Sequence, residues 1–289
     1  MTAVGTHAGP RHPYAGTRRL LALVLREDRL RIALWTLGLT ATALFTVPSV
    51  ESAYGGTQGA LARAEFAGNP AAVLINGPTF APGNVTLGSM IASELGMMTS
   101  LAVAVMSILL VTRHTRAEED TGRSDLVRSL GNGRFAPTVA ALGSMVVANL
   151  VVATGLVLGL QGHGLPQLDT LAFGLSMAGA GIVFGALAAV TAQVADHARP
   201  ATAMALTILG ASYVMRGIGD ARDPVDGTAL SWVSPLAWAQ QMTPYIELRW
   251  WPLAVSLTTA ALLVALASQL GARRDLGAGL VPTRAGPRH

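Results

Sequence analysis

To cross the ~30 Å hydrocarbon core of a bilayer, a helix needs about 20 apolar residues, because no water is present there to satisfy backbone N–H and C=O groups. Six runs of this chain meet or approach that length: residues 32–50, 90–112, 135–160, 171–195, 200–215 and 251–270. Composition agrees, with 51% hydrophobic residues and 12% charged ones where soluble domains carry about a quarter. The expected fold class is an all-α integral membrane protein with six transmembrane helices. The fifth run is the weakest: its 16 residues (200–215) reach only about 24 Å at ~1.5 Å per residue. It is expected to lean on Tyr213 and a snorkelling Arg216, or to end before the far interface.

Two absences narrow the chemistry. Cysteine is missing, which removes disulfides, thiolate nucleophiles and cysteine-ligated metals. All 20 basic residues are arginine, which removes a lysine-bearing phosphate loop, a Schiff-base enzyme and a Ser-Lys nucleophile. ATP and Mg are therefore expected on another chain and no cofactor on this one. None of the six histidines falls at a recognised metal-ligand spacing, so no metal site and no catalytic residues are predicted. The Ala/Gly/Arg-rich composition suggests a bacterial source.

Arginines set the orientation. Six precede the first run, five lie between the second and third, one between the fourth and fifth, and four come after the sixth: 16 on one side against Arg63, Arg216, Arg222 and Arg249 on the other. Positive residues stay cytoplasmic, so both termini are expected inside, in a multi-pass protein of the bacterial plasma membrane. No cleavable signal peptide is visible in the sequence. Residues 1–16 read as a disordered tail. Residues 17–31, "TRRLLALVLREDRLR", read as an interfacial helix lying on the membrane, or as a plain extension of the first span. On the outer side, residues 51–88 carry Gly/Pro turn signals around short helices. Residues 217–250 carry Trp232, Trp238, Tyr245 and Trp250, which suit a membrane interface; a re-entrant or horizontal segment there fits better than a seventh span. Residues 271–289 are expected as a cytoplasmic tail.

Residues 112–134, "TRHTRAEEDTGRSDLVRSLGNGR", pack five arginines and four carboxylates into this apolar chain. Glu119/Arg123 and Asp125/Arg128 stand at i,i+4 and i,i+3, where each pair contributes a few tenths of a kcal/mol to a helix. Leu126, Val127 and Leu130 add a narrow apolar stripe, and Glu118, Glu119 and Asp120 suit a helix start. Gly122 marks a bend or close backbone approach; Gly131 and Gly133 end the element. On these residues alone, a solvated loop obeying the positive-inside rule and a helix handled from the cytoplasm stand equal.

Other motifs yield less. "GNGRFA" has no preceding strand and "DTG" no second copy, so they support neither a dinucleotide site nor an aspartic-protease site. "GLVLG" (155–159) and "GIVFG" (181–185) permit close helix packing. Asn149, mid-span, is expected to hydrogen-bond across helices, with substrate contact the alternative. Glu94 enters the second span near its outer end. It is either interfacial or faces an outward vestibule with flexible Met97 and Met98 and touches substrate.

The segment "TRAEEDTGRSDLVRSLGNGR" resembles the charged motif after the second span of ABC exporter permeases of the ABC-2 type, in particular bacterial exporters of polyketide antibiotics. "LSWVSPLAWAQQMTPYIELRWWPL" and "ARRDLGAGLVP" carry the likeness at the corresponding later positions, so it spans about residues 17–282. The resemblance implies one six-span transmembrane domain (residues 17–270) with an interfacial N-terminal helix and a cytoplasmic coupling helix docking an ABC ATPase subunit. Arg116, Glu118, Glu119, Gly122, Arg123, Leu126 and Arg128 would be the docking and bending positions. It implies export of hydrophobic or amphipathic compounds, among them antibiotics, hence multidrug efflux and antibiotic resistance. Such permeases are commonly tandems of two halves; this sequence carries one, so a second half, self or homologous, is an expected partner alongside the ATPase and lipid. No nucleic acid is expected. The competing readings are a membrane-embedded enzyme, whose acids would cluster at Glu118, Glu119, Asp120 and His114, and a non-transporting scaffold or sensor.

Overall fold

The computed structural model describes residues 12–54, 59, 69–78, 86–120, 133–223 and 227–273. Among them every regular element is helical: α1 (Thr17–Tyr54), α2 (Pro70–Asn76), α3 (Leu87–Thr112), α4 (Ala136–Gln161), α5 (Gln167–Val194), α6 (Ala198–Arg222), α7 (Ala229–Trp232), α8 (Pro235–Gln240) and α9 (Trp251–Arg273). Six of these, α1, α3, α4, α5, α6 and α9, are long and apolar enough to cross a membrane. The all-α, six-span expectation holds. Local chemistry sets the starts: Thr86 and Ser89 form a reciprocal capping box at α3, Asn69 caps α2 ahead of Pro70, and Ser234 caps α8 ahead of Pro235.

The bundle has an inside and an outside. The most apolar windows of α3 and α5 are 72% and 78% buried, against 17% for α1 and α9, which makes α3 and α5 the interior pair. Leu30, Leu34, Leu37 and Phe45 on α1 and Leu257, Leu262 and Leu266 on α9 stand exposed, a surface that water would penalise and lipid tails accept. Close approach between helices relies on small residues. A Cβ on Gly155 would sit 2.5 Å from the Thr40 Oγ1 of α1, and one on Gly181 would sit 1.8 Å from the Asn149 Oδ1 of α4. Asn149 is buried and donates to Ser107 Oγ (2.8 Å) and to Met145 O of its own helix (2.9 Å), so it joins α4 to α3 as the sequence anticipated, with Gly181 of α5 packed against it.

Several elements differ from their sequence reading. Residues 17–31 are no separate interfacial helix; they continue without a break into the first span as α1. Residues 12–16, expected in a disordered tail, form a turn held by amides of the 133–135 segment: Gly133 N donates to Ala15 O (2.8 Å) and Phe135 N to Pro13 O (3.1 Å). The fifth span runs through Arg222, and its 25 residues span about 37 Å at ~1.5 Å each. Arg216 therefore does not snorkel. It is wholly buried and donates to Asp220 (2.9 Å) and to the α2 carbonyls of Leu74 (2.6 Å) and Ile75 (3.3 Å), with Gln240 of α8 at 3.5 Å. A carboxylate one turn away and the negative C-terminal end of α2 together compensate the cation.

This end of the bundle, opposite the arginine-rich segment, is finished by α2, α7, α8 and residues 241–250. Trp232 stacks on Trp251 at 4.9 Å, and Trp238 donates its indole N–H to Trp232 O at 2.8 Å. Tyr245 adopts φ +66°, a conformation that costs a non-glycine residue energy and persists only where its surroundings impose it. Here Tyr245 N donates to Asp169 Oδ1 (2.8 Å) and the phenol to Thr170 Oγ1 (3.0 Å). Burial, against the weaker opposing effect of the Thr170 hydrogen bond, pushes the Tyr245 phenol up to about 12.

Two measurements test this packing. Gly181→Ala forces Asn149 off Ser107, so thermal unfolding in detergent should register a loss of about 1–3 kcal/mol. The penalty should shrink in an Asn149→Ala background and vanish for Gly210→Ala, where a Cβ meets nothing within 4 Å. The Tyr245 phenol ionises higher in the folded chain (about 12) than its ordinary value of 10.0. Its stabilising contribution is thus complete below pH 10 and lost as pH rises from about 10 to about 12. The stability of Tyr245→Phe should lack that alkaline component.

Candidate functional site

The apolar run of α3 ends at Thr112, and the helix widens into a π-turn over Arg113–Ala117 and continues as α-helix over Glu118–Asp120. A π-turn adds a residue to the helical circuit and rotates the side chains beyond it to a new facing. In this turn His114, Thr115 and Arg116 point inward and are buried. Three side chains from this short segment then fasten three different helices.

The first tie is to α1. His114 Nε2 contacts Asp28 Oδ2 at very short range, and His114 Nδ1 lies 2.9 Å from Glu118 Oε1. Asp28 is fully buried and also takes Arg31 at 2.9 Å, with Arg113 at 3.9 Å. The second tie is to α5: the buried Arg116 donates from Nε to Ala192 O in the last turn, where helix carbonyls lack intrahelical partners, and from Nη1 to Glu119 (2.8 Å). The third is to α6: Asp120 Oδ2 accepts from Ala198 N at 2.8 Å and its Oδ1 lies 3.3 Å from His197, so a carboxylate from another helix caps the positive N-terminus of α6. On the far side of the segment, Tyr14 packs against Phe135 at 5.7 Å and Arg134 covers the Phe135 ring at 4.7 Å.

Of the expected coupling positions, Arg116, Glu118 and Glu119 lie in this knot. Gly122, Arg123, Leu126 and Arg128, with the rest of the expected coupling helix, lie outside the described residues. Arg116 is buried in this chain, where its guanidinium meets a helix-end carbonyl and a carboxylate at once. The expected pathway residues are not gathered at one place. Met97 is buried, Met98 is 56% exposed on another face of α3, and Glu94 is half-buried. Asn149 bonds to Ser107, 13 positions beyond Glu94, or about 20 Å along the helix.

Sequence reasoning missed Glu27 and Asp28. A signal was present: Val24, Asp28 and Ile32 are the buried residues of this stretch of α1, spaced by four, so a carboxylate sits in an apolar stripe. With it in place, one ligand atom each from Glu27, His114 and Glu118 come within 4.8 Å of one another. The histidine and one glutamate are a helical turn apart; the remaining glutamate comes from another helix, which spacing along the sequence cannot reveal.

No protein-family model matches the chain. The chain is similar to a multidrug efflux system permease protein of Mycobacterium tuberculosis, with 41% identity over 288 aligned residues that cover 96% of this chain and 51% of that protein. It spans about half the length of the curated relative it matches. The likeness to exporter permeases therefore extends over nearly the whole chain rather than residing in three short motifs.

Removing one member of a buried ion pair leaves the other charge uncompensated, typically at a cost of about 3–5 kcal/mol. Asp28→Ala should accordingly lower the thermal midpoint in detergent by many degrees. Glu247→Ala, which breaks only the exposed pair with Arg249, should cost under about 1 kcal/mol.

Proposed function

We propose that this chain is a membrane permease unit of an ATP-driven multidrug exporter, coupled to its motor through the segment at residues 113–134. The carrying observation is the knot at 113–120: a segment tied through His114 to α1, through Arg116 to α5 and through Asp120 to α6 cannot be displaced without straining all three helices. The whole-chain likeness to a multidrug efflux permease supports the same reading.

In this mechanism the arginine-rich end and both termini face the cytoplasm of a bacterium, as the 16-to-4 arginine bias favours. A separate ABC ATPase binds ATP and Mg and grips residues 121–132, with Arg123 and Arg128 orienting the contact and Leu126 burying apolar area. Its closure pushes on the segment. The three ties pass the displacement to α1, α5 and α6, so the bundle moves between inward- and outward-facing arrangements whose populations nucleotide biases. The chain itself performs no bond chemistry. A second six-span unit, another copy or a related chain, completes the path, in keeping with a relative of about twice the length. Hydrophobic or amphipathic compounds are the cargo. Ties between ends of helices favour this reading over a membrane-embedded enzyme, because the acids at 118–120 point to structural partners.

Docking and transmission separate experimentally. The double substitution Arg123→Glu/Arg128→Glu should abolish co-purification of the ATPase while leaving membrane insertion and thermal stability unchanged. Arg116→Met should retain the ATPase yet reduce efflux of a fluorescent drug at least tenfold. ATPase binding that survives the double charge reversal, or undiminished efflux from both variants, would refute the assignment.

A further inference from the structure

His114 stands between two carboxylates. Its Nε2 faces Asp28 and its Nδ1 faces Glu118 at 2.9 Å, so the ring either carries both protons and donates from each nitrogen, or exchanges its Nδ1 proton for a metal ion. Asp28 is the stronger claimant, being fully buried, with Arg31 and Arg113 on its other side. With Nε2–H donated to Asp28, exchange of the Nδ1 proton leaves a ring nitrogen aimed toward Glu118 as a ligand. The Nδ1 proton bonds one carboxylate; a divalent ion in its place binds Nδ1, Glu118 and a third donor together. That third donor is present: Glu27, from α1, brings a carboxylate oxygen within 4.8 Å of the other two ligand atoms.

We propose that Glu27, His114 and Glu118 form a divalent transition-metal site, with zinc the best fit, that staples the inner end of α1 to the root of the coupling segment. One imidazole and two carboxylates suit zinc, with a fourth position open to water. Zn–N and Zn–O bonds of about 2.0–2.2 Å place ligand atoms roughly 3.3 Å apart, which side-chain rotation reaches from the present spread. Asp28 acts as a positioning residue. A buried carboxylate receiving the other ring N–H of a metal-bound histidine fixes the tautomer and ring plane, and it raises the basicity of the ligating nitrogen. The arrangement thus has both shells: three ligands converging from two helices, and a second carboxylate that aims the histidine. His114 itself is nearly inaccessible, so the site differs from a chance gathering of surface acids. The inference concerns this chain's own residues and does not depend on the exporter reading.

The full chain, purified in detergent without a histidine tag and stripped with EDTA, is titrated with Co2+ and then Zn2+. The expected result is one Co2+ per chain with the visible d–d absorption of a four-coordinate site, displaced by Zn2+, and a rise in thermal midpoint on Zn2+ addition. His114→Gln should abolish the absorption, and Glu27→Gln and Glu118→Gln should each weaken binding at least tenfold. Asp28→Asn should weaken it about 10–100-fold while leaving the shape of the spectrum intact. His163→Gln, in the turn after α4, should change nothing. Absence of a stoichiometric Co2+ spectrum in the wild type overturns the proposal, as does binding that persists in His114→Gln, which would place it on His7, His12, His197 or His289. Should His114→Gln fail to fold, Glu27→Gln decides, because it alters the opposite helix: unchanged affinity there is equally fatal.

Discussion

A carboxylate held between helices that cross a bilayer cannot be left to itself, and the pairing of Asp28 organises the whole arginine-rich end. Asp28 is fully buried on α1; Arg31 and Arg113 neutralise it and His114 meets it from the end of α3. An ionised group in such a place costs several kcal/mol unless charge and hydrogen bonds are both supplied, so the two helices have one acceptable relative register. That requirement is specific where the apolar contacts are permissive. Leucine and valine faces tolerate small slides past one another; a buried carboxylate facing a histidine does not. The π-turn at Arg113–Ala117 is the backbone adjustment that lets His114 and Arg116 reach inward immediately after a straight apolar span.

The opposite end solves the same problem with the same means. Arg216 is wholly buried in α6, where Asp220 and the last carbonyls of α2 hold it. Between the two polar knots the bundle is joined by small residues: Gly155 against Thr40 and Thr36 of α1, and Gly181 against Asn149 of α4. In the exporter reading, a displacement entering at residues 113–120 has defined recipients in α1, α5 and α6.

Legibility tracked physical range. The six spans could be read because a membrane imposes one length and one solvent on every helix, and α3, α4, α5 and α9 needed only their own residues to declare themselves. Asn149 was also readable, since an amide in mid-span must find a partner across a helix interface. The features that escaped required a partner distant in sequence. Arg216 looked like a snorkelling interfacial cation because nothing nearby announced that α2 would place its C-terminal carbonyls beside it. The burial of Arg116 could not be read because Ala192, whose carbonyl it binds, lies 76 positions away. Glu27 and Asp28 looked like ordinary members of a basic, interfacial stretch. The four-residue spacing of Val24, Asp28 and Ile32 was visible, but its meaning depended on knowing that this stretch continues α1 instead of lying flat.

The burial pattern bears on where a cargo could travel. With α5 at the centre and α3 beside it, Phe173, Phe184, Met145, Met177 and Ile108 are all almost wholly buried. Interiors packed in this way behave like organic crystals rather than channels, and opening one would forfeit many close contacts. The exposed apolar faces belong instead to α1, α4, α6 and α9, some of which meet lipid. A path for a hydrophobic compound is cheaper to build along such a face, lined on its other side by an equivalent unit, than through the middle of this bundle. Two of these peripheral helices, α1 and α6, are the ones fastened by His114 and Asp120 to the charged segment. In the exporter reading, the motor's displacement therefore reaches two walls of the path directly, and the packed support α5 through Arg116.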